Sequence, residues 1–214
     1  MLIALFGLLF LLGVMFVGIG LLEKLQTQQQ TTQQIKDKTR LFKQAQRHFK
    51  SNDIKNVKYD PTIIHDFDYK DYQAAIRNDV VTKNSVGTIT IPAVGIKEPI
   101  LEGVNNQNLA VGVVTVKPNE RPGVGNYALA GHNQLNSGQL LFGNLAYVRI
   151  GNEILINSKV GRFTYIVTQI NHHLSAKHGE IIEDSQGTDI ITLYTCNNQT
   201  DDGRIFVRGT LKKE

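Results

Sequence analysis

The sequence predicts an all-β domain built as a closed or nearly closed barrel with few helices. From Ser85 onward, short segments rich in β-branched residues recur between Gly, Pro and Asn residues. The composition, with 41% hydrophobic and 20% charged residues, is ordinary for a globular protein. The expected strands are Val86–Ile91, Ile96–Leu101, Leu109–Val114, Asn126–Ala130, Tyr147–Ile150, Glu153–Ile156, Phe163–Ile170, Asp189–Thr195 and Ile205–Leu211.

The first 22 residues carry no charged side chain and are apolar apart from their glycines. About 20 such residues span the ~30 Å hydrocarbon core of a bilayer as an α-helix. The run is longer than the apolar part of a typical signal peptide, and it lacks an A-x-A-like cleavage site. Residues 1–22 are therefore expected to form a transmembrane signal anchor rather than a signal peptide that is removed.

A polar and basic stalk is expected over residues 23–79. Residues 23–60 hold nine Lys/Arg against four Asp/Glu, whereas the other 14 basic and 15 acidic residues nearly balance. This position beside the apolar run is typical of a segment near anionic lipid or wall polymer, and no nucleic-acid motif is present. Apolar spacing favours a helix over residues 35–49, with a partly disordered linker as the alternative, and a second helix over residues 71–79. The barrel domain is expected over residues 80–214.

The single cysteine, Cys196, ends the expected strand that contains TLYTC. Strand alternation separates Cys196 from the apolar Ile191 and Leu193. If the next strand pairs with this one across the polar loop 197–203, Cys196 lies beside Arg204. A guanidinium favours the nucleophilic thiolate and can donate to a developing oxyanion. Cys196 and Arg204 are thus candidate catalytic residues, although an inert buried cysteine and a surface arginine remain the alternatives.

A general acid–base has to come from the six histidines. Five of them precede the expected barrel or fall in a polar stretch that is expected to be a loop: His48, His65, His172, His173 and His178. His132 instead follows the strand NYALAG and shares a face with Ala128 and Ala130, whose small side chains leave room for a substrate chain. His132 is therefore the third candidate catalytic residue.

Three motifs taken together resemble the sortase family: TLYTC, the arginine eight residues after its cysteine, and ALAGHN roughly sixty residues upstream. The order and spacing match the family pattern of a T-L-x-T-C strand, an Arg on the next strand and a His after a small-residue strand. GTITIPAVGIKEPI, residues 87–100, is similar to the family's first strands. The resemblance covers residues 80–214 and the apolar N-terminal run, and it implies a closed eight-stranded sortase-type β-barrel.

Sortases are transpeptidases of Gram-positive bacteria, and the resemblance implies a class A-like, housekeeping member. Such an enzyme cuts an LPxTG-type sorting signal of surface proteins between Thr and Gly. It then joins the Thr to an amine of a lipid II-like cell-wall precursor. By the resemblance, Cys196 forms a thioacyl intermediate, His132 protonates the leaving amine and Arg204 supports the oxyanion. The implied location is the cell membrane, crossed once and contacted by the N-terminal helix, with the catalytic domain outside.

The resemblance also suggests substrate-binding residues. Ala130 and Thr195 flank the catalytic positions, and Ile181 and Ile182 lie in the segment that contacts the Leu-Pro part of the signal in the family. A short core strand is the alternative for the two isoleucines. Some relatives bind calcium through acidic residues before the His strand, but here that region contains only Glu120. No metal and no other cofactor are therefore expected.

Three other functions stay open at this point. A non-enzymatic, membrane-tethered β-barrel could bind a wall component with a structural Cys196. A cysteine hydrolase would release the peptide to water instead of an amine. A pilin polymerase would join a pilin lysine, but the chain ends at GTLKKE without a second apolar span, which favours the housekeeping type.

Overall fold

The computed structural model describes residues 2–54, 57–134, 139–175, 179–183, 187–197 and 203–213. They form two compact units, one that ends at Asp37 and one that begins at Lys38. The helices are α1 (Leu2–His48), α2 (Tyr69–Arg77), α3 (Val80–Asn84) and α4 (Asn106–Val111). The strands are β1 (Ser85–Ile91), β2 (Ile96–Leu101), β3 (Val113–Thr115), β4 (Asn126–Ala130), β5 (Glu153–Ser158), β6 (Gly161–Ser175), β7 (Ile190–Cys196) and β8 (Gly203–Leu211). Short 3-10 helices occur at Pro61–Ile63, Pro92–Val94, Leu145–Tyr147 and Gly179–Ile182.

The strands of the described residues close into a barrel in the order β1-β2-β3-β4-β7-β8-β6-β5, with β5 paired back to β1. Two neighbouring pairs, β2 with β3 and β4 with β7, are parallel. Parallel neighbours cannot be joined by a tight hairpin, so other elements lie in sequence between the members of each pair. Helix α4 connects β2 to β3, and β5 with β6 separate β4 from β7. The closed eight-stranded barrel predicted from the sequence is confirmed.

The barrel interior holds the main apolar core. Strand alternation directs one set of side chains inward, among them Ile89, Ile100, Leu129, Ile191 and Val207, and all five are fully buried. Their burial accounts for the β-branched and apolar residues that recur at every second position of the expected strands.

A second apolar cluster lies on the outside of β2 and β3. Leu41 of α1 and Tyr72 of α2 pack there against Leu101 and Val114, whose side chains point away from the barrel interior. The compact unit that contains the barrel strands begins at Lys38 and therefore includes the end of α1 and helix α2. Apolar side chains of these two helices are buried against β2 and β3.

Three of the expected strands differ in the structure. Residues 109–111, expected to start a strand, end helix α4, because the Asn105 side chain caps its first turn by accepting from the Asn108 N–H at 2.8 Å. Tyr147 ends the 3-10 helix Leu145–Tyr147, and Tyr147 and Ile150 are exposed instead of forming a strand. Strand β6 continues through His172 and His173, which were expected in a loop, because it pairs with β8 as far as Ser175.

Of the predicted membrane anchor, residues 1–22, the described residues 2–22 form the first part of α1. Within the part of the chain that the structure describes, no helix combines the length and the apolar character required to cross a bilayer.

Candidate active site

The hairpin of β7 and β8 carries two of the three candidate catalytic residues. Cys196 ends β7 and pairs directly with Arg204 of β8. The Asn197 N–H donates to the Gly203 carbonyl at 2.8 Å and closes the hairpin just beyond this pair. Residues 198–202 of the connecting loop lie outside the described residues. Directly opposed residues of antiparallel strands have Cβ atoms about 5 Å apart, so the side chains of Cys196 and Arg204 leave the sheet side by side, as the expected hairpin predicted.

The two faces of this hairpin differ in chemistry. Ile191, Leu193 and Val207 point into the barrel core, which leaves Cys196 and Arg204 on the outer face. Cys196 is half-buried, and its thiol is free. We call the outer face of β4, β7 and β8 the groove floor. It consists of Ala128, Ala130, Thr192, Tyr194, Cys196, Arg204, Phe206 and Arg208.

His132 lies two residues beyond the end of β4. Strand β4 runs parallel to β7, and the register that pairs Ala130 with Tyr194 brings position 132 level with Cys196. The Gly131 N–H donates to the Tyr194 carbonyl at 3.3 Å, so the alignment continues past the end of the strand. The backbone positions of His132, Cys196 and Arg204 thus lie at the same end of the groove floor.

The His132 ring is enclosed on one side by the segment that precedes α2. The edge of one ring meets the face of the other where Phe67 packs against His132, with centroids 6.0 Å apart and planes at 89°. Burial lowers the pKa of His132 to about 4, although Asp66 and Asp71 act in the opposite direction. The imidazole is therefore neutral at pH 7 in this conformation, since burial disfavours its charged form.

Arg204 is half-buried, and its Nη1 donates to the Gly203 carbonyl at 3.0 Å. This bond fixes one side of the guanidinium at the turn end of the hairpin. Tyr194, two residues before Cys196 on the groove floor, is also largely buried. Burial, together with the negative charge of Glu120, raises the pKa of Tyr194 to about 12, so its phenol stays neutral and can donate a hydrogen bond.

Three of the four expected substrate-binding residues, Ala130, Ile181 and Ile182, lie on or over the groove floor. Ala130 is half-buried on the groove floor, next to the helical cluster on β2 and β3. Ile181 and Ile182 are half-buried in the 3-10 helix Gly179–Ile182, not in a core strand. The Ile181 carbonyl accepts from Asn126 Nδ2 at 2.9 Å and from Arg208 Nη2 at 3.2 Å. These bonds hold the 3-10 helix over the opposite end of the groove floor from Cys196.

Thr195 does not lie on the groove floor. Its side chain faces the interior, is 2% exposed, and donates from Oγ1 to the Gly131 carbonyl at 2.6 Å. A side chain in this position is turned away from a peptide bound on the outer face. Its hydroxyl contacts the backbone next to His132 instead.

Glu120 has a structural role that the sequence did not reveal. Its carboxylate accepts from the backbone N–H groups of Val116 at 3.1 Å and Ala128 at 3.0 Å, and Lys117 Nζ lies 3.6 Å away. Burial raises the pKa of Glu120 to about 7. The carboxylate oxygens are thus engaged by the loop itself, which makes them poor ligands for a calcium ion. Among the described residues, no group of three or more His, Cys, Asp or Glu side chains is arranged to hold a metal ion.

Sequence patterns did not single out Phe67 or Asn133, which both contact the site. Asn133 donates from Nδ2 to the Cys196 carbonyl at 2.9 Å. Asn133 is the last residue of ALAGHN and directly follows His132. Its position could have indicated a backbone contact at the site, since an asparagine amide often bonds to nearby backbone groups. No local pattern relates Phe67 to a histidine 65 positions away.

Comparison with known proteins defines the class that this barrel and site belong to. The sortase domain profile matches residues 89–212. Sortase A of Bacillus anthracis is 37% identical over 125 residues, which are 58% of this chain and 58% of that protein. Sortase A of Streptococcus agalactiae is 35% identical over 132 residues, which are 60% of this chain and 53% of that protein. The matches thus span little more than half the length of these two relatives.

A solved structure gives the same class. The crystal structure of Listeria monocytogenes sortase A has a TM-score of 0.56 and 30% sequence identity, and the match covers 61% of this chain and 89% of that one. The chain belongs to the sortase family.

Proposed function

We propose that this protein is a class A-like cysteine transpeptidase. In this proposal it cleaves an LPxTG-type signal between Thr and Gly and joins the Thr to a cell-wall amine. The observation that carries the proposal is the direct cross-strand pair of Cys196 and Arg204, level with His132 at one end of the groove floor. The class A-like assignment is supported by the names of the two curated relatives, both sortase A.

The first half of the reaction is acylation of the thiol. Cys196 transfers its proton to His132, and Sγ attacks the carbonyl carbon of the signal's Thr. The oxyanion that develops accepts a hydrogen bond from the Arg204 guanidinium. The C–N bond to Gly then breaks, and the imidazolium of His132 returns the proton to the departing Gly amine. The product is a thioacyl enzyme on Cys196.

The second half transfers the acyl group to the wall amine. The incoming amine attacks the thioester carbon and gives its proton to His132. The C–S bond breaks, and Cys196 regains a proton from the imidazolium. Covalent catalysis of this kind divides one difficult acyl transfer into two easier ones.

The remaining groove floor is the proposed binding site for the signal. A peptide in extended conformation rises about 3.3 Å per residue, so the Leu-Pro part lies several residues along the floor from Cys196. Ala130 leaves space there, and Ile181 with Ile182 supply apolar surface. We assign these three residues to recognition of the Leu-Pro part.

We also propose that the enzyme is held at the cell membrane through residues 1–22, with the barrel outside, where surface proteins and lipid II-like precursors meet it. The support is the uncharged apolar run in the sequence. If the proposal holds, the protein remains with membranes after alkaline carbonate extraction, and protease added to intact wall-free cells degrades the barrel. Release by carbonate would contradict the anchor.

The enzymatic test uses the full chain in mild detergent, a fluorescent peptide that contains Leu-Pro-Ala-Thr-Gly, and triglycine. Mass spectrometry is expected to show the peptide cut after Thr and joined to triglycine. It is also expected to show an acyl adduct on Cys196 when triglycine is withheld. Cys196→Ala is expected to give neither product nor adduct.

Two added arms separate the alternatives. Equal amounts of hydrolysed peptide with and without triglycine would indicate a hydrolase, and preferential joining to a lysine side chain in a pilin-type peptide would indicate a pilin polymerase. An unmodified peptide under all conditions, with intact protein, would favour a non-enzymatic binding barrel.

A further inference from the structure

The segment that carries His132 lies beyond the end of β4. Pairing of β4 with β7 stops at Ala130 and Tyr194, and the next residues lie outside any strand of the barrel. Backbone contacts continue there as single hydrogen bonds and as an isolated bridge between Asn133 and Leu141. Two side chains, Thr195 of β7 and Asn133 of the segment itself, add contacts between this segment and β7.

Thr195 provides the first contact, from β7 to the His132 segment. Its Oγ1 donates to the Gly131 carbonyl at 2.6 Å, and the side chain is buried. Gly131 in turn donates its N–H to the Tyr194 carbonyl at 3.3 Å. Both polar groups of Gly131 are thus held by consecutive residues of β7, directly before His132.

Asn133 provides the second contact, in the opposite direction. Its Nδ2 donates to the Cys196 carbonyl at 2.9 Å. The bond attaches the residue after His132 to the residue that carries the proposed nucleophile. Asn133 also pairs with Leu141 in an isolated bridge, and the Phe142 N–H donates to the His132 carbonyl at 3.1 Å.

We infer that Asn133 and Thr195 are positioning residues, which hold the His132 backbone level with Cys196 so that the imidazole can exchange a proton with the thiol and the leaving amine. The inference rests on the proposed function for its consequence in catalysis. One bond fixes Gly131, the residue before His132, and the other fixes Asn133, the residue after it. Together they limit the displacement of His132 along the groove floor. Neither polar group is directed to the substrate, since each one bonds to the backbone of the opposite segment.

Loss of either bond is expected to affect turnover more than substrate binding. A displacement of about 1 Å at a reacting group can lower a rate roughly 10²-fold. The near-isosteric variants Asn133→Leu and Thr195→Val remove the bonds to the Cys196 and Gly131 carbonyls, respectively, without adding a charge. We expect each to lower kcat roughly 10- to 100-fold with little change in KM, because the misplaced group is the acid–base and not the peptide site. Thr195→Ser keeps the hydroxyl and is expected to restore most of kcat.

Matched controls come from the same barrel. Asn144 Nδ2 donates to the Val94 carbonyl at 2.9 Å, so Asn144→Leu removes an amide-to-carbonyl bond that joins neither residues 131–133 nor Cys196. Thr88 is 3% exposed on β1, which pairs with neither β4 nor β7, so Thr88→Val makes the same buried change at a distant strand. Both controls are expected to keep the kcat of the wild type.

A second measurement does not depend on activity. NMR titration of the His132 imidazole in the full chain reports its burial through its pKa. We expect the midpoint to move up from about 4 in Asn133→Leu and Thr195→Val, as the released ring gains solvent, and to stay in place in both controls. If the wild type fails to ligate the peptide, the proposed function is wrong, whereas this titration still decides whether the two residues position His132.

Three results would overturn the inference. One is wild-type kcat and an unchanged His132 midpoint in Asn133→Leu and Thr195→Val. Another is a loss confined to KM, which would indicate substrate contact. The third is a kcat that falls only in proportion to the unfolded fraction seen by thermal denaturation, which would indicate simple destabilisation.

The assignment of Thr195 has its own test. If Thr195→Ser recovers no more kcat than Thr195→Val, Thr195 is not a positioning residue.

Discussion

At the scale of single residues, the geometry of the Arg204 side chain matters as much as its charge. A guanidinium presents several N–H groups in a fixed plane, whereas an ammonium is a compact point charge on a flexible stem. Arg204 uses Nη1 to bond the Gly203 carbonyl, which fixes the orientation of its plane at the residue paired with Cys196. A lysine at this position would keep the charge but lose that orientation.

The first prediction concerns this difference. Arg204→Lys is expected to lower kcat for the Leu-Pro-Ala-Thr-Gly peptide roughly 10²-fold or more, the scale of losing one oxyanion donor. Steady-state ligation with triglycine measures it. Arg149→Lys, on an exposed turn before β5, serves as the control and should keep full activity. Equal activity of Arg204→Lys and the wild type would mean that charge alone is sufficient.

At the scale of elements, the segment between the 3-10 helix Pro61–Ile63 and α2 affects the chemistry of His132. Phe67 lies on this segment, and its ring covers the imidazole. His65 on the same segment pairs through Nε2 with Asp71 of α2 at 3.2 Å, which links the segment to the helix. An element outside the barrel thus sets the solvent exposure of a candidate catalytic residue.

The second prediction follows from this cover. In Phe67→Ala the His132 ring gains solvent, and its pKa is expected to rise from about 4 toward the ordinary 6.5. NMR titration of the imidazole checks the midpoint. Since a lowered pKa in the folded state destabilises the protein as pH falls from 6.5 to 4, the variant should also lose less stability over that range than the wild type does. An unchanged midpoint would show that Phe67 does not determine the burial of His132.

A buried ion pair connects another pair of elements. Lys38 Nζ of α1 lies 2.9 Å from Glu98 Oε1 of β2, and the same carboxylate oxygen accepts from the Leu141 N–H at 3.0 Å. Burial raises the pKa of Glu98 to about 7 in spite of Lys38. The folded protein therefore binds a proton at Glu98 between pH 4.5 and 7, where the unfolded chain has released it. The stability that this group contributes is complete below pH 4.5 and is lost as pH rises through 7.

The third prediction tests this pair by a double-mutant cycle in urea. Lys38→Met leaves the buried carboxylate without its ammonium and is expected to cost about 3–5 kcal/mol of unfolding free energy at pH 8. Glu98→Gln removes the charge, so Lys38→Met in that background should cost clearly less. Glu98→Gln should also abolish the part of the pH dependence between 4.5 and 7. Additive single effects would show that the two side chains do not interact.

At the scale of the whole molecule, the compact unit that begins at Lys38 contains more than the barrel. Leu41, Ala45, Tyr72 and Ala75 are all buried in the cluster outside β2 and β3. Full burial of one large apolar side chain contributes about 1.5–3 kcal/mol, so loss of this layer removes a large share of a typical domain stability of about 5–15 kcal/mol.

The fourth prediction compares two shortened chains. A chain that starts at Lys38 is expected to fold cooperatively and to ligate the soluble peptide, because every residue of the two apolar clusters remains. A chain that starts at Val80 is expected to aggregate or to melt far below the first, because Leu101 and Val114 lose the side chains that cover them. Circular dichroism melting curves and size-exclusion chromatography measure the difference. Equal melting temperatures would show that the helical layer is dispensable.

The sequence by itself determined the features that depend on neighbouring residues. Short β-branched segments between Gly, Pro and Asn residues are a local pattern, and they predicted the bounds of β2 and β4 to the residue. Strand alternation, with its period of two, predicted that Cys196 and Arg204 meet across a hairpin, because only a short loop separates them. The segment pattern erred at residues 109–111, where a side-chain cap at Asn105 starts a helix and a short apolar run fits either structure.

Only the tertiary structure decided which distant residues meet at His132. The parallel pairing of β4 with β7 joins positions 64 residues apart, and from it follow the contacts of Thr195 with Gly131 and of Asn133 with Cys196. Phe67 reaches the ring from a segment outside the barrel altogether. No periodicity along the chain encodes these meetings, because they result from closure of the barrel and from burial of the helical layer, and both are set by the packing of the whole unit.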